Sequence, residues 1–386
     1  MEACFQNVNL PENLSTFEQI ALEGGFQTFA PLYTDPFCFY GAFRAVMSKS
    51  RNQLKTRRGA TLVSIAETAA SRVRGSVRLV EVLIVLGFWM TMSELHAGLE
   101  RYRDLIVADQ DPSFLPPKTG VRITYLGTNA YLLQSRDGAL LVDPYFSRVG
   151  LFRAALGLPI ASSRSLIERY LPVRRIDAVL VTHGHFDHLL DVPEIVALTG
   201  ARLIASATSV QLARSAGVPS EKCVVVTAGE KVSLRGATVN SLPAKHDRLF
   251  GRVPFDGPAR RLPPRTPRDW VCGEPLAFLI EIGGRRIYIA AGGRPNGAFP
   301  ASLGQIDLAI LGVALPDSRK RFAETLEQLR PRYVLPSHQD NFFLPLSRGF
   351  VFGPMTDFPD VIRVFRNAPT GSRLILVDYF RPWTLP

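Results

Sequence analysis

The chain has 386 residues, 46% of them apolar, and a formal charge of +11. That balance excludes a disordered chain and leaves room for one large folded domain plus a smaller one. The first twenty residues, MEACFQNVNLPENLSTFEQI, lack the basic start and apolar centre of a secretory leader. Cys4, Cys38, Cys223 and Cys272 are too far apart for a paired redox or zinc-knuckle motif, so a reduced, cytoplasmic protein is expected.

Residues 1–120 balance to about zero in charge, which places the basic excess further along. Within them the stretch from Arg44 to Arg78 is locally basic (Lys49, Arg51, Lys55, Arg57, Arg58, Arg72, Arg74), as a solvated helical face or a membrane-facing one would be. The pattern from Tyr40 to Ala108 is helical throughout. Its one strongly apolar run, VLIVLGFWMTM from Val82 to Met92, falls short of the roughly 20 residues that a spanning helix needs. It reads as a core helix, although Phe88 and Trp89 next to basic residues would also suit a helix lying on a bilayer. DQDPSFLPPKTG, Asp109 to Gly120, breaks the pattern and divides a helical region, 1–118, from a second domain, 119–386.

The second domain consists of short apolar runs separated by turns: VRITYLG, AYLLQS, GALLVDP, DAVLVTH, ARLIAS, KCVVVTAG, ATVNSLPA, LAFLIEIGG, RRIYIAAGG, DLAILG, RYVLPSH and RLILVDYF. Helical patterns (SRSLIERYL, DVPEIVALTG, SVQLARSAG, SRKRFAETLEQLR) fall between them, which indicates a layered α/β domain. Asp191 is expected to cap the second of these helices, with Glu194 completing a capping box. Gly251 to Trp270, GRVPFDGPARRLPPRTPRDW, is rich in proline and arginine and must be a long loop.

The chemistry concentrates in VTHGHFDH, Val181 to His188. His183 and His185, two apart at the end of a strand, point to the same side and can grip one ion. Asp187 and His188 follow where the chain turns into a helix, able to face a second ion about 3.5–4 Å away, the spacing at which two metals share and acidify a water. His246 and His338 each close an apolar strand. A single strand-end histidine is usually structural, but five of the six histidines end strands of one domain, and each ion lacks one ligand.

HGHFDH resembles the HxHxDH signature of the metallo-β-lactamase superfamily, and the order of segments agrees over about residues 121–340. YLG, VDPYF and PSH are similar to the branch containing N-acyl phosphatidylethanolamine phospholipase D and ascorbate lactonase. The resemblance implies a four-layered αββα sandwich following a mostly helical N-terminal extension. It assigns His183, His185 and His246 to a first zinc and Asp187, His188 and His338 to a second, with Asp143 supporting the site and Asp187 and His246 taking part in the reaction. His96 matches no motif. Most superfamily hydrolases carry an aspartate bridging the two metals, where this chain has Gly293, so the second ion is expected to be held more weakly; iron or manganese are alternatives to zinc.

The expected function is a zinc-dependent hydrolase that attacks a phosphodiester or other anionic ester with a metal-bound hydroxide. Arg260, Arg261 and Arg265 in the long loop are expected to contact the small-molecule or lipid-like anionic substrate. The alternatives are a lactonase or amide hydrolase, a nuclease, disfavoured by the absence of any nucleic-acid module, and a metal-binding protein without catalysis. Peripheral membrane contact would suit the basic and apolar N-terminal segments.

Overall fold

The computed structural model describes residues 98–249, 251–291, 293–295, 303–368 and 370–386. The helical run before residue 98, with its basic stretch, the Val82–Met92 segment, His96, Cys4 and Cys38, lies outside them.

Two sheets stack face to face. In the first, β1 (Val121–Gly127), β2 (Ala130–Gln134) and β3 (Ala139–Val142) form an antiparallel meander. It continues in parallel through β4 (Ala178–Leu180), β5 (Arg202–Ala205) and β6 (Cys223–Val225). C-terminal β15 (Trp383–Leu385) pairs with the free edge of β1. The second sheet contains β7 (Lys231–Leu234), β8 (Ala237–His246), β9 (Leu276–Ile282), β10 (Arg285–Ala290), β11 (Gly293–Pro295), β12 (Leu308–Gly312), β13 (Tyr333–Ser337) and β14 (Arg373–Leu374). Their order is β11-β8-β9-β10-β12-β13-β14, with β7 also on β8.

The period-two alternation of the strands accounts for the layering. In the first sheet Ile123, Tyr131, Leu133, Leu140 and Leu180 face inward and meet Phe278, Ile280, Ile287, Ile289 and Ile310 of the second. The intervening residues Leu132, Leu141, Val179 and Leu203 face outward. They are covered by α2 (Arg164–Tyr170), α4 (Val192–Thr199) and α5 (Ala207–Ser215) through Ile167, Ile195 and Leu212. On the far side Leu279, Tyr288, Ala309 and Val334 are covered by α6 (Pro316–Leu329) and α7 (Phe358–Asn367) through Phe322, Leu326, Phe358 and Val361. Three apolar layers between four layers of structure make the αββα sandwich that the sequence implied. At about 1.5–3 kcal/mol per fully buried large side chain, these layers are the main favourable term of folding. Two further short helices, α1 (Leu151–Ala155) and α3 (Phe186–Leu189), lie in connections at the end of the first sheet.

Local departures from the sequence reading have physical causes. Asp191 does occupy the N-terminus of α4, but its side chain caps nothing there. Its carboxylate accepts instead from Phe146 N (2.6 Å), Ser147 N (2.8 Å) and the Ser147 hydroxyl (2.5 Å), so it ties down the loop after β3. β7, β11 and β15, three or four residues each, are too short for their alternation (Val232 and Leu234, Trp383 and Leu385) to stand out in the sequence, and they pair with longer neighbours. RLILVDYF forms ladder pairs only at Arg373 and Leu374, although Ile375, Leu376 and Val377 are fully buried. The segment before β1 is bonded to the same C-terminal stretch: Val107 N donates to Leu376 O and Asp109 N to Pro382 O. Arg122 on β1 completes the tie by an ion pair with Asp109 at 3.1 Å.

The β1–β2 turn at Gly127-Thr128-Asn129 matters most for the site. Gly127 has φ +96°, and a Cβ there would fall 1.8 Å from Nη2 of Arg148. That guanidinium is buried and paired with Asp340 at 2.8 Å, so it has no room to yield. Gly127→Ala should therefore destabilise the protein by about 2 kcal/mol or more, from left-handed backbone strain plus disturbance of a buried ion pair. Urea denaturation of the two proteins measures this; a loss of a few tenths of a kcal/mol would mean that Arg148 shifts freely.

Candidate metal centre

Strand ends and the short connections that leave them deliver the six ligand-type side chains. Beyond β4 the chain runs through Thr182, His183, Gly184 and His185 into the single turn of α3. Gly184 N donates to Cys272 O at 3.0 Å, and a Cβ on Gly184 would come within 2.3 Å of Val271 O, so only glycine permits this approach. His185 O accepts from His188 N (3.0 Å) and Leu189 N (2.9 Å), the turn that brings the His188 ring back to within 4.0 Å of the His183 ring. His246 ends β8. His338 follows β13 in the left-handed region, φ +52°, with its N–H donating to Thr128 O at 2.8 Å.

The six side chains form two groups, His183 with His185 and His246, and Asp187 with His188 and His338; within each, one donor atom per residue lies within 4.8 Å of the others. The outer ring nitrogens reveal which way the inner ones face. His185 Nε2 donates to Pro254 O (2.8 Å) and His246 Nδ1 to Asp247 O (2.7 Å). The Thr182 hydroxyl gives its proton to Asp143 at 2.7 Å, so it can only accept from His183 Nδ1, 3.1 Å away. His188 Nδ1 stands 3.0 Å from Asp143 Oδ2. In the first group this leaves bare lone pairs directed inward, with His183 Nε2 and His185 Nδ1 only 2.9 Å apart. Two facing lone pairs repel unless a proton or a metal ion comes between them, and outward N–H groups anchored on carbonyls or carboxylates are the usual support of metal-binding imidazoles. The donor set therefore fits a divalent ion at each group.

The two groups differ in charge. Burial holds His183 well below the ordinary range, pushes His185 down to about 3 and His246 to about 4, so the first group is neutral. Burial also works against charge on His188, but Asp187 and Asp143 outweigh it and take His188 up to about 10. Burial would raise Asp187; His188 and His338, whose Nε2 lies 3.1 Å from Oδ2, hold it well below the carboxylate range instead.

Behind the ligand side chains lies a hydrogen-bonded layer that the motif did not reveal, apart from Asp143. Asp143, fully buried with φ +39°, accepts from Thr182 N (2.8 Å) as well as from its hydroxyl, and from Asn129 Nδ2 (2.8 Å). Asn129 Oδ1 accepts from the Ser337 hydroxyl at 2.7 Å, which links this carboxylate to β13 and hence to His338. Asp340, two residues after His338, is fully engaged. It accepts from Arg148 Nη1 (2.8 Å), Tyr125 OH (3.0 Å), Thr128 N (2.9 Å) and Tyr379 OH. The only sequence signal for Asn129 is its place in the tight turn GTNA; Asp340 reads in the sequence as a candidate for the absent bridging carboxylate, and nothing there shows its pairing with Arg148, 192 residues away.

The long loop touches the ligand residues through Pro254 and Phe255, while its arginines face solvent. Arg260, Arg261 and Arg265 are exposed, whereas Pro254 O meets His185 and the Phe255 ring packs edge-on against His185 at 6.0 Å. On the other side Phe342 packs edge-on against His338 at 5.1 Å.

Comparison with known proteins agrees with this geometry. The family model described as the beta-lactamase superfamily domain matches residues 122–338, from the second residue of β1 to the last of the six ligand-type side chains. The chain belongs to this superfamily. The UPF0173 metal-dependent hydrolase of Methanosarcina barkeri is 30% identical over 232 residues, covering 58% of this chain and 85% of the relative. That of Rubrobacter xylanophilus is 28% identical over 234 residues, with 58% and 85% covered. Igni18, a metallo hydrolase from Ignicoccus hospitalis, matches 69% of this chain and 99% of its own at 17% identity, with a TM-score of 0.47. The protein is thus a metal-dependent hydrolase on the metallo-β-lactamase fold. Gly293, the position at which the resemblance places a bridging aspartate, pairs through its backbone with His246.

Charge asymmetry makes the metal-free protein sensitive to pH on both sides of neutrality. His185 and His246 have folded values below the ordinary 6.5, so the unfolded chain binds more protons and stability is lost as pH falls from 6.5 toward 3–4. His188, raised to about 10, contributes fully below 6.5, and that contribution fades as pH rises through 10. Chelator-treated protein should show a urea midpoint that falls on both sides of neutrality, and His185→Gln should flatten the acid limb. An acid limb unchanged by that substitution would place the titrating groups elsewhere.

Proposed function

We propose that this protein uses two zinc ions, one at each donor group, to hydrolyse a phosphodiester or another anionic ester. The inward-facing lone pairs of His183 and His185 carry the reading, because a metal ion satisfies both at once while burial disfavours the alternative, an extra proton shared between them. Imidazole and carboxylate donors suit zinc, with iron or manganese as alternatives. When bound, such ions supply Lewis-acid charge to the scissile group and acidify a water toward neutral pH. Of the ligand residues Asp187 alone is anionic, and with His188 and His338 holding it ionised it is the acceptor for a proton released during the reaction. His246, held by its Nδ1 on Asp247 O, keeps Nε2 directed at the first group. Asp143 fixes His188 and, through Thr182, His183. The basic loop that contains Arg260, Arg261 and Arg265, with the overall charge of +11, favours encounter with anionic esters. That is what ranks a phosphodiester above a lactone or amide.

Replacing His183 and His185 together by alanine should remove the first ion and lower hydrolysis to background while leaving a cooperative thermal transition, since losing two of three ligands abolishes most metal affinity. Elemental analysis of both proteins, followed by assay against a phosphodiester, a neutral ester, a lactone and a β-lactam, tests metal and substrate class separately. Unchanged zinc in the double variant would sink the assignment of the site, and preference for the lactone would overturn the substrate class alone.

Gly293 yields a second test. With no bridging carboxylate, Asp187 is the only anionic side chain of the second group, so its ion should be released first under chelation. Gly293→Asp should slow that release about tenfold or more by adding a second negative charge. Equal, tight retention of two metals by both proteins would show that the second group needs no bridge.

A further inference from the structure

Four of the six large apolar side chains that stand exposed among the described residues belong to two neighbouring connections: Phe152 (46% exposed), Leu156 (46%), Leu158 (42%) and Leu262 (44%). Phe152 and Leu156 lie four residues apart in and just after α1, on one side of a helical turn. The tip LFRAALGLP, 151–159, stands out between Val149 and Ile160, which are both buried. It is joined to the long loop by the hydrogen bond from Ile160 N to Arg265 O at 2.8 Å, and Arg268 lies 3.4 Å from where a Cβ on Gly157 would sit. Both connections end at the metal centre: the first leaves from the loop that follows Asp143, and the second carries Pro254 and Phe255 against His185.

The same two segments are strongly cationic. Arg153, Arg252, Arg260, Arg261, Arg265 and Arg268 are all exposed. The only acidic residue within the two segments is the exposed Asp256; Asp269, just beyond, is buried and occupied by Arg265 N, Thr266 N and the Thr266 hydroxyl. Exposed leucine and phenylalanine interleaved with arginine is the composition that partitions into an anionic headgroup layer, the rings and branched chains entering the acyl boundary while the guanidinium groups meet lipid phosphates. A second copy of the chain is the poorer partner, because six arginines would face six across a two-fold interface.

We propose that the surface formed by residues 151–159 and 252–268 docks this hydrolase on anionic phospholipid bilayers, with the mouth of the metal centre beside the membrane. The proposal does not depend on which ester the centre cleaves.

Sedimentation of the full-length protein with vesicles tests it. The unmodified protein should sediment with vesicles of phosphatidylcholine containing about 30% phosphatidylglycerol, remain largely in solution with phosphatidylcholine alone, and be released as salt rises. The triple variant Phe152→Ser, Leu156→Ser, Leu158→Ser should bind the anionic vesicles about tenfold or more weakly. Arg153→Gln with Arg268→Gln should weaken binding and reduce its salt dependence. Melting temperature and metal content, unchanged in all variants, confirm that the fold persists. Failure of the unmodified protein to sediment would overturn the proposal, as would a triple variant that binds as well as the parent, which would place membrane contact elsewhere in the chain. Conversion of a dimer to a monomer by the triple variant, without loss of vesicle binding, would instead make this surface a subunit interface.

Discussion

The carboxylate of Asp143 is the interaction on which the site depends. It is fully buried, so its charge cannot be met by water and has to be met by donors. Thr182 supplies two, Asn129 a third, and His188 Nδ1 lies 3.0 Å away. Each contact constrains something different. The Thr182 backbone bond fixes the end of β4 against the end of β3. The Thr182 hydroxyl, having given its proton away, sets which nitrogen of His183 faces the centre. Asn129 carries the constraint to Ser337 in the other sheet. One strand-end carboxylate thereby aligns ligand residues that arrive from both sheets.

This arrangement also explains why the two donor groups differ. The first is backed by neutral acceptors, the carbonyls of Pro254 and Asp247 and the Thr182 hydroxyl, and its histidines stay uncharged. The second is built around Asp187 and backed by Asp143, so in the metal-free protein His188 keeps a proton between two carboxylates. A cation entering the second group has to displace that proton, whereas one entering the first competes only with weakly basic nitrogens. Occupancy of the second group is accordingly coupled to pH in a way that occupancy of the first is not.

What the sequence reveals follows from the range of the interactions involved. The six ligand-type side chains could be read because they end apolar strands or, for Asp187 and His188, follow one within the same short motif, and strand ends are visible as abrupt changes from apolar to polar residues. The layered architecture could be read because strands such as β9 and β12, apolar on both faces, are buried on both faces. The second layer of the site could not. Asp191 carries the local signature of a helix cap, yet its backbone angles are already helical rather than the extended ones of a capping residue, and its carboxylate goes to Phe146 and Ser147, 45 and 44 residues away. The loop's composition likewise shows its arginines but not that its backbone carbonyl at Pro254 and its Phe255 ring are what meet His185. β7, β11 and β15 exist because a neighbour's edge needed pairing, which is a property of the neighbour.

The buried pair of Arg148 and Asp340 shows how the fold accepts energetic cost for position. Its desolvation is large, and Nε and Nη2 of Arg148 have no hydrogen-bond partner among the described residues. The guanidinium rests over the rings of Tyr145 and Tyr379, each centroid 5.8 Å away, which recovers part of that cost. Apolar side chains of similar volume would serve stability as well or better. They could not do what Asp340 does two residues after His338: accept from Thr128 N while His338 N donates to Thr128 O, closing the two sheets on the same turn. Arg148 supplies the charge that keeps Asp340 ionised, and so acceptor-only, against burial that would otherwise protonate it. The pair thus holds the left-handed backbone of His338 in place, and the last ligand residue owes its orientation to an arginine that touches none of the others.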